Sequence, residues 1–297
     1  MRQRVVDLDG PVHFLDFGGD GDPILLVHGL GGSALNWMAV GPRLAGRHRT
    51  LAIDLAGFGR TPLFGRSATV GANARLVHEF IEKIISEPVT LVGNSMGGHI
   101  SILEAADHPR WVSSMVLVDP AVPGMRVRPP DPALMAVAAA LSIPGLVEAL
   151  LDRRFRQLGP ERLVERVLAL VCADPARVDP VVVAAHVELA RERGHLGPQG
   201  GRAFVQASRS LGLRMADPRF WARVRQVRAP TLVIHGSLDR LIPLAAAREL
   251  VRRRPDWTLE VIEGAGHVPM METPDRFMSV LSQWMVDRIA PEPATVS

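Results

Sequence analysis

A serine held between glycines, where one periodicity gives way to another, constrains this chain more than any other feature. Residues 89–92 are apolar or β-branched, as in a buried strand, and from Ser95 onward the apolar spacing becomes helical. A turn that sharp pushes the Ser95 hydroxyl outward and leaves no room for a Cβ two residues to either side, which accounts for Gly93 and Gly97. Gly98 lets the helix that follows pack close to its strand. The string G-x-S-x-G is common by itself. A buried-type strand before it and a helix after it make Ser95 a candidate nucleophile.

The rest of the chain supplies a setting for such a turn. Strand-like runs at 12–16, 24–27, 50–53, 89–92 and 112–118 alternate with helix-like runs at 35–44, 70–85 and 95–107, a pattern that predicts a parallel sheet covered by helices. The alternation stops at residue 123. From there to residue 224 only amphipathic helical stretches occur, punctuated by Gly159-Pro160, Asp174-Pro175, Asp179-Pro180 and Gly197-Pro198. Asp131-Pro132 reads as the N-cap and first residue of one such helix. Strand–helix alternation resumes with 231–235, 244–253, 259–262 and 274–288. The expected organisation is therefore an α/β core of residues 1–122 and 225–290, a helical insertion over 123–224, and a frayed tail at 291–297.

Charge and cysteine content narrow the function class. The formal net charge is +3 although the isoelectric point is near 10.2, because the chain has no tyrosine, a single cysteine and a single lysine, Lys83, to titrate above the histidines. That pI is no signature of nucleic-acid binding, and none is expected. Arg252-Arg253-Arg254 falls at a helix end, where cations suit the dipole. One cysteine, Cys172, excludes an intramolecular disulfide and any cysteine-based metal site, and its apolar neighbours predict a packed thiol. The first seven residues lack the apolar core of a secretory signal, and the longest uncharged apolar run, 133–147, is too short to span a bilayer. A cytoplasmic protein without a transmembrane segment is expected. Nothing in the sequence decides between a monomer and a homodimer.

A nucleophilic serine needs a base for its proton and a carboxylate to orient that base. In a parallel sheet both should come from segments just past strand ends, where ligands bind. Asp239 follows the strand-like run 231–235, and His267 follows 259–262, so the chain order is serine, acid, histidine. Asp119, just after 112–118, is the rival acid. Backbone donors for a developing oxyanion are expected at Leu30, in the run His28-Gly29-Leu30-Gly31-Gly32, and at Met96, next to the serine at a helix start. The glycine-rich run lacks the lysine of a phosphate-binding loop. His28 and Asp54 are expected to hold loops. No metal or other cofactor is expected, since His99, His186 and His195 lack partners at ligand spacing.

These pieces together resemble the α/β-hydrolase superfamily over residues 12–288. The resemblance rests on His28-Gly29, the turn at 54–59, the elbow at 93–98, the segment 236–239 and Gly266-His267. It implies an eight-stranded, mostly parallel sheet with helices on both faces and an inserted helical cap or lid. Ala56 stands where relatives often carry proline. Serine at the elbow argues against the dehalogenase and epoxide-hydrolase relatives, which have aspartate there. The position of Lys83 argues against lyases that use an active-site lysine. What the resemblance then implies is a carboxylesterase- or lipase-like serine hydrolase acting on an apolar small-molecule ester. The elbow Gly93-Asn94-Ser95-Met96-Gly97-Gly98 is also similar to that of meta-cleavage-product hydrolases, which break carbon–carbon bonds. That keeps carbon–carbon hydrolysis as an alternative, although Val268-Pro269 replaces the tryptophan usual after their histidine. A ligand receptor on the same fold is a further alternative. Substrate contacts are expected from Gly29, Asn94, Met135, Leu141, Val268 and, for a carboxylate, Arg209.

Overall fold

Strands buried on both faces must carry apolar residues without a break, and this is how the centre of the sheet is built. In the computed structural model, which describes residues 1–123, 145–194 and 198–289, β3 (Ile24–Val27), β4 (Thr50–Ile53) and β5 (Val89–Asn94) are buried throughout. With β1 (Arg2–Asp7), β2 (Pro11–Gly18), β6 (Val112–Val118), β7 (Thr231–Gly236) and β8 (Thr258–Ile262) they form an eight-stranded sheet in the order β1-β2-β4-β3-β5-β6-β7-β8. Pairing is antiparallel at β1–β2 and β2–β4 and parallel from β4 to β8, giving the expected mostly parallel sheet. Alternate residues feed two cores. Leu25, Val27, Leu91, Leu117 and Val233 face one, and Ile24, Leu26, Val92, Val118 and Ile234 face the other.

The helices α1 (Val70–Phe80) and α2 (Met96–Asp107) cover the first core, while α9 (Pro274–Ile289) contributes Phe277, Val280 and Leu281 to the second. Between β6 and β7 the described residues form helices: α3 (Leu146–Val171), α4 (Pro180–Gly194), α5 (Pro198–Met215) and α6 (Phe220–Gln226). The backbone of α3 breaks at Gly159, where φ is 71°, as the Gly159-Pro160 punctuation anticipates. Polar contacts tie this helical segment to the core. The Arg193 guanidinium donates to the carbonyls of Gly57 and Gly59, His186 Nε2 meets Asn36 Oδ1 at 3.2 Å, and Gln206 accepts the Ala68 N–H. Short α7 (Leu244–Arg253) and α8 (Pro269–Glu272) complete the chain order. The expected helix start at Asp131 and the tail 291–297 lie outside the described residues.

Three expectations about local structure are corrected. β1 was not anticipated, because Arg2–Asp7 is charged and mostly exposed; its strand comes from pairing with β2 through the Asp9-Gly10 turn, both at positive φ. The helix expected over 35–44 is instead a 3₁₀ turn, Ala34–Trp37, and a single α turn, Gly41–Leu44; Pro42 lacks the N–H to continue a helix across the junction. The helix expected over 70–85 is α-helical only to Phe80 and closes through a π turn, Ile81–Ile85, capped by Ser86 at φ 62°.

One buried charge makes stability pH-dependent. Glu104 in the last turn of α2 is 2 % exposed, and burial pushes its carboxyl up to about 7. Between the ordinary value of 4.5 and about 7 the folded chain keeps a proton that the unfolded chain releases, so stability falls as pH rises through this window. Replacing Glu104 with Gln should flatten that slope, on the order of 3 kcal/mol, in denaturant titrations at pH 4.5 and 7.5. An unchanged slope would count against it. Cys172 is buried with its thiol pushed up to about 12, first by burial, so in the folded protein it should resist thiol reagents.

Candidate active site

The turn after β5 is built by close backbone approach. A Cβ on Gly93 would stand 2.4 Å from the Gly97 carbonyl oxygen, and one on Gly97 would stand 2.3 Å from the Val27 carbonyl oxygen. Both distances are far inside van der Waals contact, so the glycines are required by space. Ser95 sits between them at φ 54°, a left-handed conformation that costs a non-glycine residue free energy and aims its side chain away from the sheet. Its backbone is held from three sides: the Ser95 N–H donates to Val118, and the Ser95 carbonyl accepts from His99 and Ala121. The strained turn is therefore tied to the ends of both β6 and α2.

His267 arrives from the loop after β8. Its Nδ1 lies 2.7 Å from Asp239 Oδ2, while Asp239 Oδ1 accepts the N–H groups of Leu241 and Ile242 at 2.7 and 3.0 Å. Burial alone would raise the Asp239 carboxyl, but the His267 hydrogen bond and the two backbone donors outweigh it and hold the group below its usual range. An ionised Asp239 accepts from Nδ1–H and so leaves the lone pair on His267 Nε2. The loop joins the elbow through Asn94, whose Nδ2 donates to the carbonyls of Val118 and His267, each at 3.1 Å.

The loop that carries Leu30 lies beside the serine. A Cβ on Gly29 would meet Ser95 Cβ at 3.0 Å, which places the Gly29–Gly31 loop against the serine. Among the described residues the Leu30 N–H has no protein acceptor, and Met96, as the first residue of α2, has none within its helix. His28 and Asp54 hold this loop. His28 Nδ1 donates to the Gly29 carbonyl and Nε2 accepts the Leu55 N–H; burial lowers its proton affinity, so it stays neutral. Asp54 accepts from Ala34, Arg60 and His13.

Several expected substrate contacts are not borne by the geometry. Asn94 commits both amide hydrogens to backbone carbonyls and ties two loops together, so it is not free to position a substrate oxygen. Val268 is 3 % exposed and packs in the second core with Met270 and Met271. Arg209, on α5, is exposed and has an interaction of its own. Met135 and Leu141 lie outside the described residues. Phe204 of α5 comes instead to the glycine loop, 3.3 Å from where a Gly31 Cβ would lie.

Glu272 is the functional-loop residue that sequence reasoning missed. Its buried carboxylate accepts from Gly266, Ala173 and Asp174, clamping the His267 loop to the end of α3, and the His267 N–H donates to Val171 at 2.7 Å. The available signal was a charged residue inside the apolar run 268–272. Two groups of metal-type donors occur among the described residues, His78-Glu104-His108 and Asp119-His235-Asp239. In the first the two imidazoles stack face to face at 3.6 Å, with His78 Nδ1 engaged by Glu104. In the second Asp239 is already engaged by His267.

A family model for the alpha/beta hydrolase family matches residues 24–280. This chain belongs to that family. Among curated proteins it is 27% identical over 274 residues to a 2-hydroxy-6-oxo-6-(2'-aminophenyl)hexa-2,4-dienoic acid hydrolase of Metapseudomonas resinovorans, covering 91% of this chain and 86% of the relative. It is 26% identical over 269 residues to a pimeloyl-[acyl-carrier protein] methyl ester esterase of Aeromonas hydrophila, covering 90% and 96%. Among solved structures, a bacterial membrane phospholipase A superposes with a TM-score of 0.73 at 27% identity, over 96% of this chain and 86% of that one. The protein is thus a hydrolase. No helix of the described residues is long and apolar enough to cross a membrane.

The Glu272 clamp is testable. Glu272→Gln turns amide hydrogens toward backbone donors and should cost on the order of 2–3 kcal/mol, read as a lowered midpoint in thermal or denaturant unfolding. A stability equal to that of the wild type would show that the clamp carries no such weight.

Proposed function

We propose that this hydrolase cleaves carboxylic esters of apolar acyl or aryl substrates through an acyl-serine intermediate. The observation that supports it most is the 2.7 Å contact between His267 Nδ1 and an Asp239 whose other oxygen is held by two backbone donors. This fixes the tautomer in which Nε2 can take the Ser95 proton. In the proposed sequence Ser95 Oγ attacks the carbonyl carbon, and the oxyanion accepts from the Leu30 and Met96 N–H groups. His267 returns its proton to the departing alkoxide, and a water deprotonated by the same imidazole frees the acid. Helices α3–α6 act as the cap, with Phe204 against Gly31 of the oxyanion loop.

Carbon–carbon hydrolysis is the second reading. It is favoured by the dienoic acid hydrolase named above and by a 2-hydroxy-6-oxononadienedioate/2-hydroxy-6-oxononatrienedioate hydrolase of Cupriavidus pinatubonensis at 26% identity. In this reading Ser95, His267 and the Leu30 and Met96 N–H groups would serve in the same places. A dienoate also carries a carboxylate to be bound, for which a cap arginine such as Arg209 or Arg214 is the candidate.

Ser95 should be labelled by a fluorophosphonate, and Ser95→Ala should abolish both labelling and cleavage of short- to medium-chain p-nitrophenyl esters. Unlabelled Ser95 in folded protein would favour the receptor alternative. Asp239→Asn should lower kcat by about 10³–10⁴ with little change in KM, because it destroys the tautomer and leaves binding intact. Side-by-side turnover of an aryl ester and a ring-cleavage dienoate decides the bond type. A kcat/KM for the dienoate far above that of any ester would replace the first reading with the second.

A further inference from the structure

Behind the His267–Asp239 pair lies a buried carboxyl group that the proposed reaction does not use. Asp119 follows β6, is fully buried, and adopts φ 46°. Its Oδ1 accepts the Gly236 N–H at 2.9 Å, and its Oδ2 has no hydrogen-bond partner among the described residues. His235, also fully buried, faces it from β7. His235 Nε2 lies 3.0 Å from the Ile242 carbonyl oxygen, an acceptor only, so Nε2 carries the proton. Burial lowers the proton affinity of this ring, and the neutral ring presents a bare lone pair at Nδ1. That atom, likewise without a partner, is 3.5 Å from Asp119 Oδ1. One donor atom each from Asp119, His235 and Asp239 lies within 4.8 Å of the other two.

Three acceptor groups therefore converge in the buried interior, and among the described residues no donor lies between them unless one of the three holds a proton. Two carboxylate charges this close and this buried would repel strongly. Asp239 has the better means of keeping a charge, with one imidazole and two backbone donors against a single backbone donor for Asp119. The charged and titratable groups acting on Asp119 are Asp239 and Glu272, with His235 at its side and His267 beyond Asp239. We propose that Asp119 is a positioning residue: a neutral carboxylic acid that donates its hydrogen bond into the Asp239–His235 pair and keeps the single negative charge of the cluster on Asp239, where it orients His267. Burial, and then the neighbouring Asp239 charge, push the Asp119 carboxyl well above the usual range against the pull of the Gly236 N–H, in keeping with this assignment. The inference rests on the reading of Ser95, His267 and Asp239 as the catalytic set.

Two measurements test it. Infrared difference spectra of the wild type minus Asp119→Asn at pH 7 should contain the C=O stretch of a protonated carboxylic acid, sensitive to deuterium exchange. The acid limb of kcat/KM for an aryl ester supplies the second. Asn suits the left-handed backbone and is also neutral, so Asp119→Asn should leave that limb within about 0.3 pH unit of the wild type. Asp119→Gly also suits the backbone but removes the donor, so Asp239 becomes the stronger base and the limb should move up by about half a unit. An absent carboxylic band, or a limb that falls by about one unit in Asp119→Asn, would mean that Asp119 is charged and would overturn the proposal. A limb that does not move in Asp119→Gly would overturn the positioning role. The infrared band does not depend on turnover. Full esterase activity in Ser95→Ala would therefore sink the catalytic reading while leaving the state of Asp119 measured.

Discussion

The close approach of the β5–α2 turn to the end of β3 is the contact on which the rest of this structure depends. Gly97 lies under the Val27 and His28 carbonyls, and Gly93 lies against the Gly97 carbonyl, at separations that no Cβ tolerates. This forces Ser95 into a left-handed conformation and brings Gly29 within contact of it. The serine hydroxyl, the first N–H of α2 and the glycine loop after β3 thus meet because of backbone sterics. A bulkier residue at 93 or 97 would separate all three at once.

Around that turn the structure solves the problem of buried carboxylates in several ways. Asp54 is met by two backbone N–H groups and a histidine, and it holds the loops that carry Leu30. Glu272 is met by three backbone N–H groups and fixes the His267 loop against α3. Asp239 is met by His267 and two backbone donors. Asp119 has one such donor. Ranking them by donors separates groups that carry a charge in the interior from one suited to keeping its proton. The same ranking separates Asp239 from its rival at the neighbouring strand end, since the carboxylate on His267 Nδ1 belongs to Asp239.

Much of the site was legible from strand ends. Parallel strands buried on both faces are largely apolar runs, so β3, β5, β6 and β7 announce themselves, the part-exposed edge strand β8 continues the alternation, and the residues just beyond each fall on the ligand side of the sheet. That logic reaches Ser95, Asp239, His267, Gly29, Leu30 and Met96. It fails where a residue's place depends on a partner distant in sequence. Val268 has the composition of a pocket wall and packs in the core instead. Asn94 has the chemistry of a substrate ligand, but its amide is taken by Val118 and His267, the latter 173 residues away. Glu272 looks like a surface charge in an apolar run until the Ala173 and Gly266 N–H groups are seen to converge on it.

The sequence by itself determined the layered α/β architecture, the alternation of two apolar cores and the chain order of serine, acid and histidine. Each of these depends on local periodicity and on glycines demanded by space within a few residues. Only the tertiary structure decided which of two strand-end aspartates meets the histidine, that β1 is a strand at all, and which polar side chains are engaged by backbone groups. Those outcomes depend on distances between segments far apart in sequence, and on how burial and donor count set the cost of a charge at each place.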